Sequence, residues 1–184
     1  MYNLSIIIII TGFILRLIIA TINVEYEIFN NAIPDSLKFH EEGLKFKNYL
    51  KYKEILSTDY NYDIGWVYGS FLGFSYYYIS DSFLFGSYLS CLFWFFSALI
   101  FRSIICNFQT DKASINISTF CYCFLFPLSV IFSSLTLREV YMLFLFNVLL
   151  YFSLKFEKKK SLIKKIFYLI ILVILIFVLA LLHN

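Results

Sequence analysis

Charge is scarce in this chain. Of its 184 residues, 15% are Asp, Glu, Lys or Arg, against roughly 25% in an ordinary soluble domain. The net charge of +3 is small and dispersed, which excludes a nucleic-acid-binding surface built on a basic face. The four cysteines, Cys91, Cys106, Cys121 and Cys123, fall within or at the edge of apolar runs, where a thiol behaves as a small buried hydrophobe. They suggest neither a disulfide framework nor a zinc site: Cys121 and Cys123, two apart, would point to nearly opposite sides of a helix. No glycine-rich phosphate loop, no Ser-His-Asp order and no His-x-x-x-His pair occurs.

What is present is apolar. Hydrophobic residues make up 61% of the chain and the mean hydropathy is +0.80. A chain this short cannot hide so much apolar surface from water, so composition predicts an all-α integral membrane protein. A crossing helix needs about 20 apolar residues. Five runs qualify as transmembrane helices, at about 4–22, 83–105, 118–135, 139–154 and 163–182. The first has no Lys or Arg ahead of it and no small-x-small cleavage site after it, so it reads as a retained anchor.

The stretch 64–79 is ambiguous, being apolar and rich in Tyr but holding Gly65, Gly69 and Gly73. The six lysines within 155–165 are expected to be cytoplasmic. They stay so only if 64–79 does not cross, which makes it an interfacial or re-entrant helix whose tyrosines suit the headgroup layer. The amino terminus is then cytoplasmic, and both the loop 23–81 and the turn 134–139 lie outside.

Within that loop, residues 36–55 have a helical pattern. Leu37, Leu44, Leu50, Phe46, Tyr49 and Ile55 give an apolar side, and Lys38, Glu41, Glu42, Lys45 and Lys53 a polar one. Asp35, after Pro34, supplies a capping start. The simplest expectation is an amphipathic juxtamembrane helix lying on the bilayer. Two charges call for more. Arg16 stands six residues before the end of the first span, about 9 Å below the surface at the helical rise; it either snorkels or marks a functional site. Arg138-Glu139 stands at the turn after Ser133-Ser134. On this topology Arg16, Asp35 and Arg138-Glu139 share one side. A carboxylate flanked by two guanidiniums suits a general base facing an anionic phosphate substrate.

Four segments in order carry a family resemblance. They are Phe13-Ile14-Leu15-Arg16-Leu17 in the first span, Asp35-Ser36-Leu37-Lys38-Phe39-His40 opening the loop, the aromatic stretch 65–78, and Pro127, Ser133-Ser134 and Arg138-Glu139 ahead of a later span. Together they resemble the amino-terminal portion of the GT-C superfamily of polytopic membrane glycosyltransferases, the family 39-like enzymes that use dolichyl- or undecaprenyl-phosphate-linked sugars. The resemblance covers roughly residues 10–155. It implies sugar transfer from a polyprenyl-phosphate donor to an acceptor on the outer face, with Asp35 as the base that deprotonates the acceptor hydroxyl. Arg138 would meet the donor phosphate, Glu139 would be a second acidic or metal-contacting group, and Arg16 and His40 would bind substrate. A divalent metal is the one cofactor the resemblance leaves open. The implied partners are membrane lipid and the lipid-linked sugar, with no nucleic acid. Family members usually have eight or more spans, so the resemblance implies either a truncated product or fragment of such an enzyme, or a half whose missing spans further membrane subunits supply. Two alternatives stand beside this reading. One is a polysaccharide repeat-unit polymerase, whose large late outer loop is absent; the other is a small non-enzymatic accessory membrane protein.

Overall fold

The computed structural model describes residues 4–29, 34–52, 66–157 and 162–183, which form eight helices. These are α1 (Leu4–Tyr26), α2 (Asp35–Tyr52), α3 (Trp66–Tyr78), α4 (Phe83–Phe108), α5 (Lys112–Phe124), α6 (Pro127–Phe132), α7 (Arg138–Glu157) and α8 (Leu162–His183). Four of them, α1, α4, α7 and α8, are long and apolar enough to cross a bilayer. The chain is an all-α, multi-pass membrane protein. Lys53, Ile55, Gly65 and the lysines 158–160 fall outside the described residues.

Side-chain contacts set the direction of each pass. The helices α1 and α4 are antiparallel: Arg102 Nε donates to Ser5 Oγ at 2.6 Å at one end, Thr21 and Tyr88 share a hydroxyl contact of 2.8 Å at the other, and Phe13 meets Phe95 between them. In contrast α7 runs alongside α4 in the same direction, with Tyr141 against Phe93 and Asn147 Nδ2 donating to Ser97 Oγ. The return helix α8 brings Tyr168 to Phe152 and Leu182 to Arg138. One end of the bundle therefore gathers the start of α1, the α4–α5 turn, the end of α7 and the start of α8. The opposite end gathers α2, α3, the start of α7 and the end of α8.

The expected span over 118–135 is not one helix. The chain is helical from Lys112, leaves the helix after Phe124 and starts again at Pro127. The cause is local: proline has no N–H and forces the residue before it out of the helical region. Phe126 is accordingly extended, at φ −109° and ψ 96°, and Pro127 takes the first helical position of α6, where its missing donor costs nothing. The two pieces together still carry the chain back along α4. Tyr122 stacks on Phe101 near one end of α4, and the Thr136 hydroxyl meets that of Ser87 near the other.

The aromatic stretch forms α3, whose 13 residues reach about 20 Å, short of the roughly 30 Å hydrocarbon core. It packs on α2 where glycines allow the backbones to touch; a Cβ at Gly73 would stand 2.6 Å from the Gly43 carbonyl oxygen. The buried side of α2 is Ser36, Phe39 and Gly43, while Leu37 and Tyr49 are exposed. Of the expected apolar side, Leu44 packs against the core and Phe46 lies against Gly73, while the most buried positions are the small and aromatic ones. Asp35 is the first helical residue, not the cap before it, and its charge complements the positive end of the helix dipole.

Candidate functional site

Arg16 is fully buried within the bundle. Its Nε donates to Ser133 Oγ at 2.6 Å, one terminal nitrogen to the Gly12 carbonyl at 2.9 Å, and the other to the Cys123 carbonyl at 3.1 Å. The guanidinium lies over the Trp94 ring, 3.4 Å from its centroid, a cation–π contact that gains strength in a dry setting. The Cys123 carbonyl is available because its helical donor would be the N–H four residues on, at Pro127, and proline has none. Arg16 thus neither snorkels nor pairs with an acid. It ties α1 to both halves of the broken α5–α6 segment, so it does not flank Asp35 as the sequence reading expected.

Arg138 opens α7 at the opposite end of the bundle from the lysines. A terminal nitrogen donates to the Leu182 carbonyl at 3.3 Å, and Nε stands 3.9 Å from a Glu139 oxygen. Its guanidinium also overlies Phe39, 5.8 Å from the ring centroid. Phe39 is one turn after Asp35 and packs edge-on against Tyr68. This contact joins the start of α2 to the start of α7. Asp35 itself is exposed. Among the described residues the ion pairs are Lys47–Asp81 and Arg138–Glu139, and neither joins Asp35 to an arginine. Besides its pairing with Arg138, Glu139 lines a cavity of about 140 Å³ with Trp94, Ser129 and Ser133.

His40 is a contact within the protein. Its Nδ1 lies 2.9 Å from the Tyr76 hydroxyl, and its ring packs edge-on against Tyr76 and Phe83. Burial holds its pKa below the ordinary 6.5, against the weaker upward pull of Asp81 and Glu41. Lys47 pairs with Asp81 beside it, and that hydrogen bond lowers the Asp81 pKa.

Two features escaped the sequence reading. Asn147 is buried between α4, α5 and α7, donating to Ser97 Oγ at 2.8 Å and to the Tyr122 hydroxyl at 2.9 Å. Its signal was available as a lone amide in an apolar run, because an intramembrane polar side chain turns inward to a partner. Asp111 caps α5 by accepting from the Ser114 amide at 2.9 Å, which holds its own pKa down. Among the described residues, no three His, Cys, Asp or Glu side chains come together as a group that could hold a metal ion. The four cysteines are free thiols.

Compared with protein-family models, curated proteins and solved structures, the chain matches none.

Proposed function

We propose that this protein transfers a sugar from a polyprenyl-phosphate donor to an acceptor hydroxyl at the membrane face that carries α2. The observation supporting the reading is the docking of α2 on Arg138 through Phe39. It leaves an exposed carboxylate, Asp35, and a partly exposed guanidinium at one end of the bundle. The order of the motifs along the chain supports it as well. In the step, the acceptor O–H gives its proton to Asp35 and the oxygen attacks the anomeric carbon opposite the phosphate. The carbon–oxygen bond to the phosphate breaks with inversion, and Arg138 meets the charge on the departing lipid phosphate. Arg16 and His40 act by holding the scaffold, since all three guanidinium nitrogens of Arg16 and the Nδ1 of His40 are engaged by protein groups.

By the positive-inside rule the lysine-bearing end of the bundle is cytoplasmic. The amino terminus then lies inside and α2 outside, in the cell or inner membrane.

The test is Asp35→Asn, assayed for sugar transfer from a polyprenyl-phosphate donor. Loss of the base lowers turnover by about 10²- to 10⁴-fold. Transfer at the wild-type rate removes Asp35 from the mechanism.

A further inference from the structure

The cavity of about 140 Å³ beside Glu139 lies between α4, α6 and α7. Trp94 lines it from α4, Phe132 and Ser133 from the end of α6, and Glu139, Val140 and Leu143 from α7. Phe93 against Tyr141 and Ser97 against Asn147 set α4 beside α7 so that Trp94 is level with Leu143. Glu139 stands four residues earlier on α7, about 6 Å nearer the α2 end at the helical rise. Its side chain is 54% exposed, so it marks the mouth. Trp94 is fully buried and marks the floor.

The two ends differ in charge. At the mouth the Glu139 carboxylate stands 3.9 Å from Arg138 Nε, too far for a hydrogen bond, which leaves it able to take a second cation. At the floor the Trp94 indole N–H is buried and has no acceptor among the described residues. The Ser133 hydroxyl cannot serve a guest as donor, since it accepts from Arg16 Nε and donates to the Ser129 carbonyl at 2.6 Å. Arg16 does not line the cavity, but its guanidinium lies on the Trp94 ring and on Ser133. Among the described residues no acid pairs with it. A buried cation without a counter-charge makes the floor electropositive, because a low-dielectric interior screens it little.

A guest that answers both ends carries an anionic acceptor inward and an ammonium outward. Between the ends it meets Phe132, Val140 and Leu143, which suit methylene groups. We infer that this cavity binds a small zwitterion, a short ω-amino acid, with its carboxylate on the Trp94 N–H and its ammonium on Glu139. A cavity of about 150 Å³ accepts a benzene-sized guest, and an amino acid with three methylenes between its charged groups is of similar bulk and spans the step from mouth to floor. The site is separate from the proposed sugar transfer: neither Asp35 nor Arg138 lines the cavity, and a zwitterion that is bound and never reacts satisfies it.

The full chain, purified in mild detergent, is tested with γ-aminobutyrate, butyrate and butylamine, which share a carbon chain and differ in their charged ends. Equilibrium dialysis of the isotope-labelled compounds gives the affinities in the wild-type protein, with no variant needed. Saturable binding of γ-aminobutyrate, with each single-ended analogue at least about tenfold weaker, supports the site; the factor is equivalent to roughly 1.4 kcal/mol. Absence of saturable binding overturns it, as does binding of butyrate or butylamine as tight as that of γ-aminobutyrate. Location is read from fluorescence. Trp66 and Trp94 are the chain's two tryptophans, so Trp66→Phe leaves Trp94 as the reporter. Its emission is expected to shift as the N–H gains an acceptor, and binding with unchanged emission overturns the assignment to this cavity. Glu139→Gln, at an exposed position, keeps the side chain's shape and is expected to weaken γ-aminobutyrate about tenfold while leaving butyrate unaffected. Undiminished affinity in that variant also overturns the proposal. None of these readouts depends on the Asp35→Asn assay.

Discussion

Arg16 brings five N–H donors into an apolar bundle, and the fold meets them with two backbone carbonyls, a serine hydroxyl and an indole face. A planar fork can reach three acceptors in different directions, whereas a lysine ammonium is a point on a flexible stem. Arg16→Lys is therefore expected to destabilise the detergent-solubilised protein by on the order of 3 kcal/mol, the cost of losing charge-assisted hydrogen bonds and leaving a buried charge poorly paired. Thermal unfolding measures this, and an unchanged melting temperature would refute the latch. His40 carries a pH dependence. Because burial lowers its pKa in the fold, the neutral form is the docked one. Its contribution is present above the ordinary value of 6.5 and is lost as pH falls from there toward the depressed folded value. Amide exchange in α2 should be more protected at pH 7.5 than at about pH 5.5 after correction for intrinsic rates, and His40→Asn should flatten the difference. The Asp81–Lys47 pair has the same sign at lower pH: the depressed carboxylate pKa stabilises above the ordinary carboxylate range and fails as the acid protonates.

At the level of elements, the contact between α2 and α3 depends on missing side chains. A methyl group at Gly73 would meet the Gly43 carbonyl and come within 2.7 Å of Phe46 Cβ, and a helix backbone cannot yield there cheaply. Gly73→Ala is expected to cost about 1–3 kcal/mol of local packing, read as faster proteolysis of the α2–α3 pair with the four long helices intact. Equal protease resistance would show that the pair is held by something other than close approach. The α5–α6 break is the counterpart within the bundle. There the interruption exposes the Cys123 carbonyl that Arg16 uses, so a proline that ends a helix also creates an acceptor for a buried cation.

At the level of the whole molecule, the passes divide the chain into two ends that carry opposite features. The end with α2, α3 and Arg138 is aromatic and mixed in charge, and the other end holds Lys155 of α7 and Lys164 and Lys165 of α8. Reporter fusions at Asn48 and at Lys160 should fall on opposite sides of the membrane, with Lys160 cytoplasmic. Both on one side would contradict the order of passes. The lipid-facing surface agrees with this arrangement: α8 leaves Ile163, Phe167, Ile170 and Ile174 exposed, as a helix at the edge of a bundle does in hydrocarbon.

Sequence by itself determined the solvent and the element type. Long apolar runs specify crossing helices wherever they fold, because hydrocarbon leaves backbone groups no partner outside the helix. Hence α1, α4, α7 and α8 were legible to within a few residues. Tertiary structure decided what depends on which surfaces meet. The inward face of α2 added Ser36, Phe39 and Gly43 to the expected Leu44 and Phe46, because close approach to α3 rewards small residues that hydropathy alone does not single out. The partners of Arg16 lie up to 117 positions away, and no local pattern announces them. The same holds for Asp35 and Arg138. Their sharing of one end follows from the direction of the passes, whereas their separation into an exposed carboxylate and a guanidinium seated on Phe39 is a matter of packing.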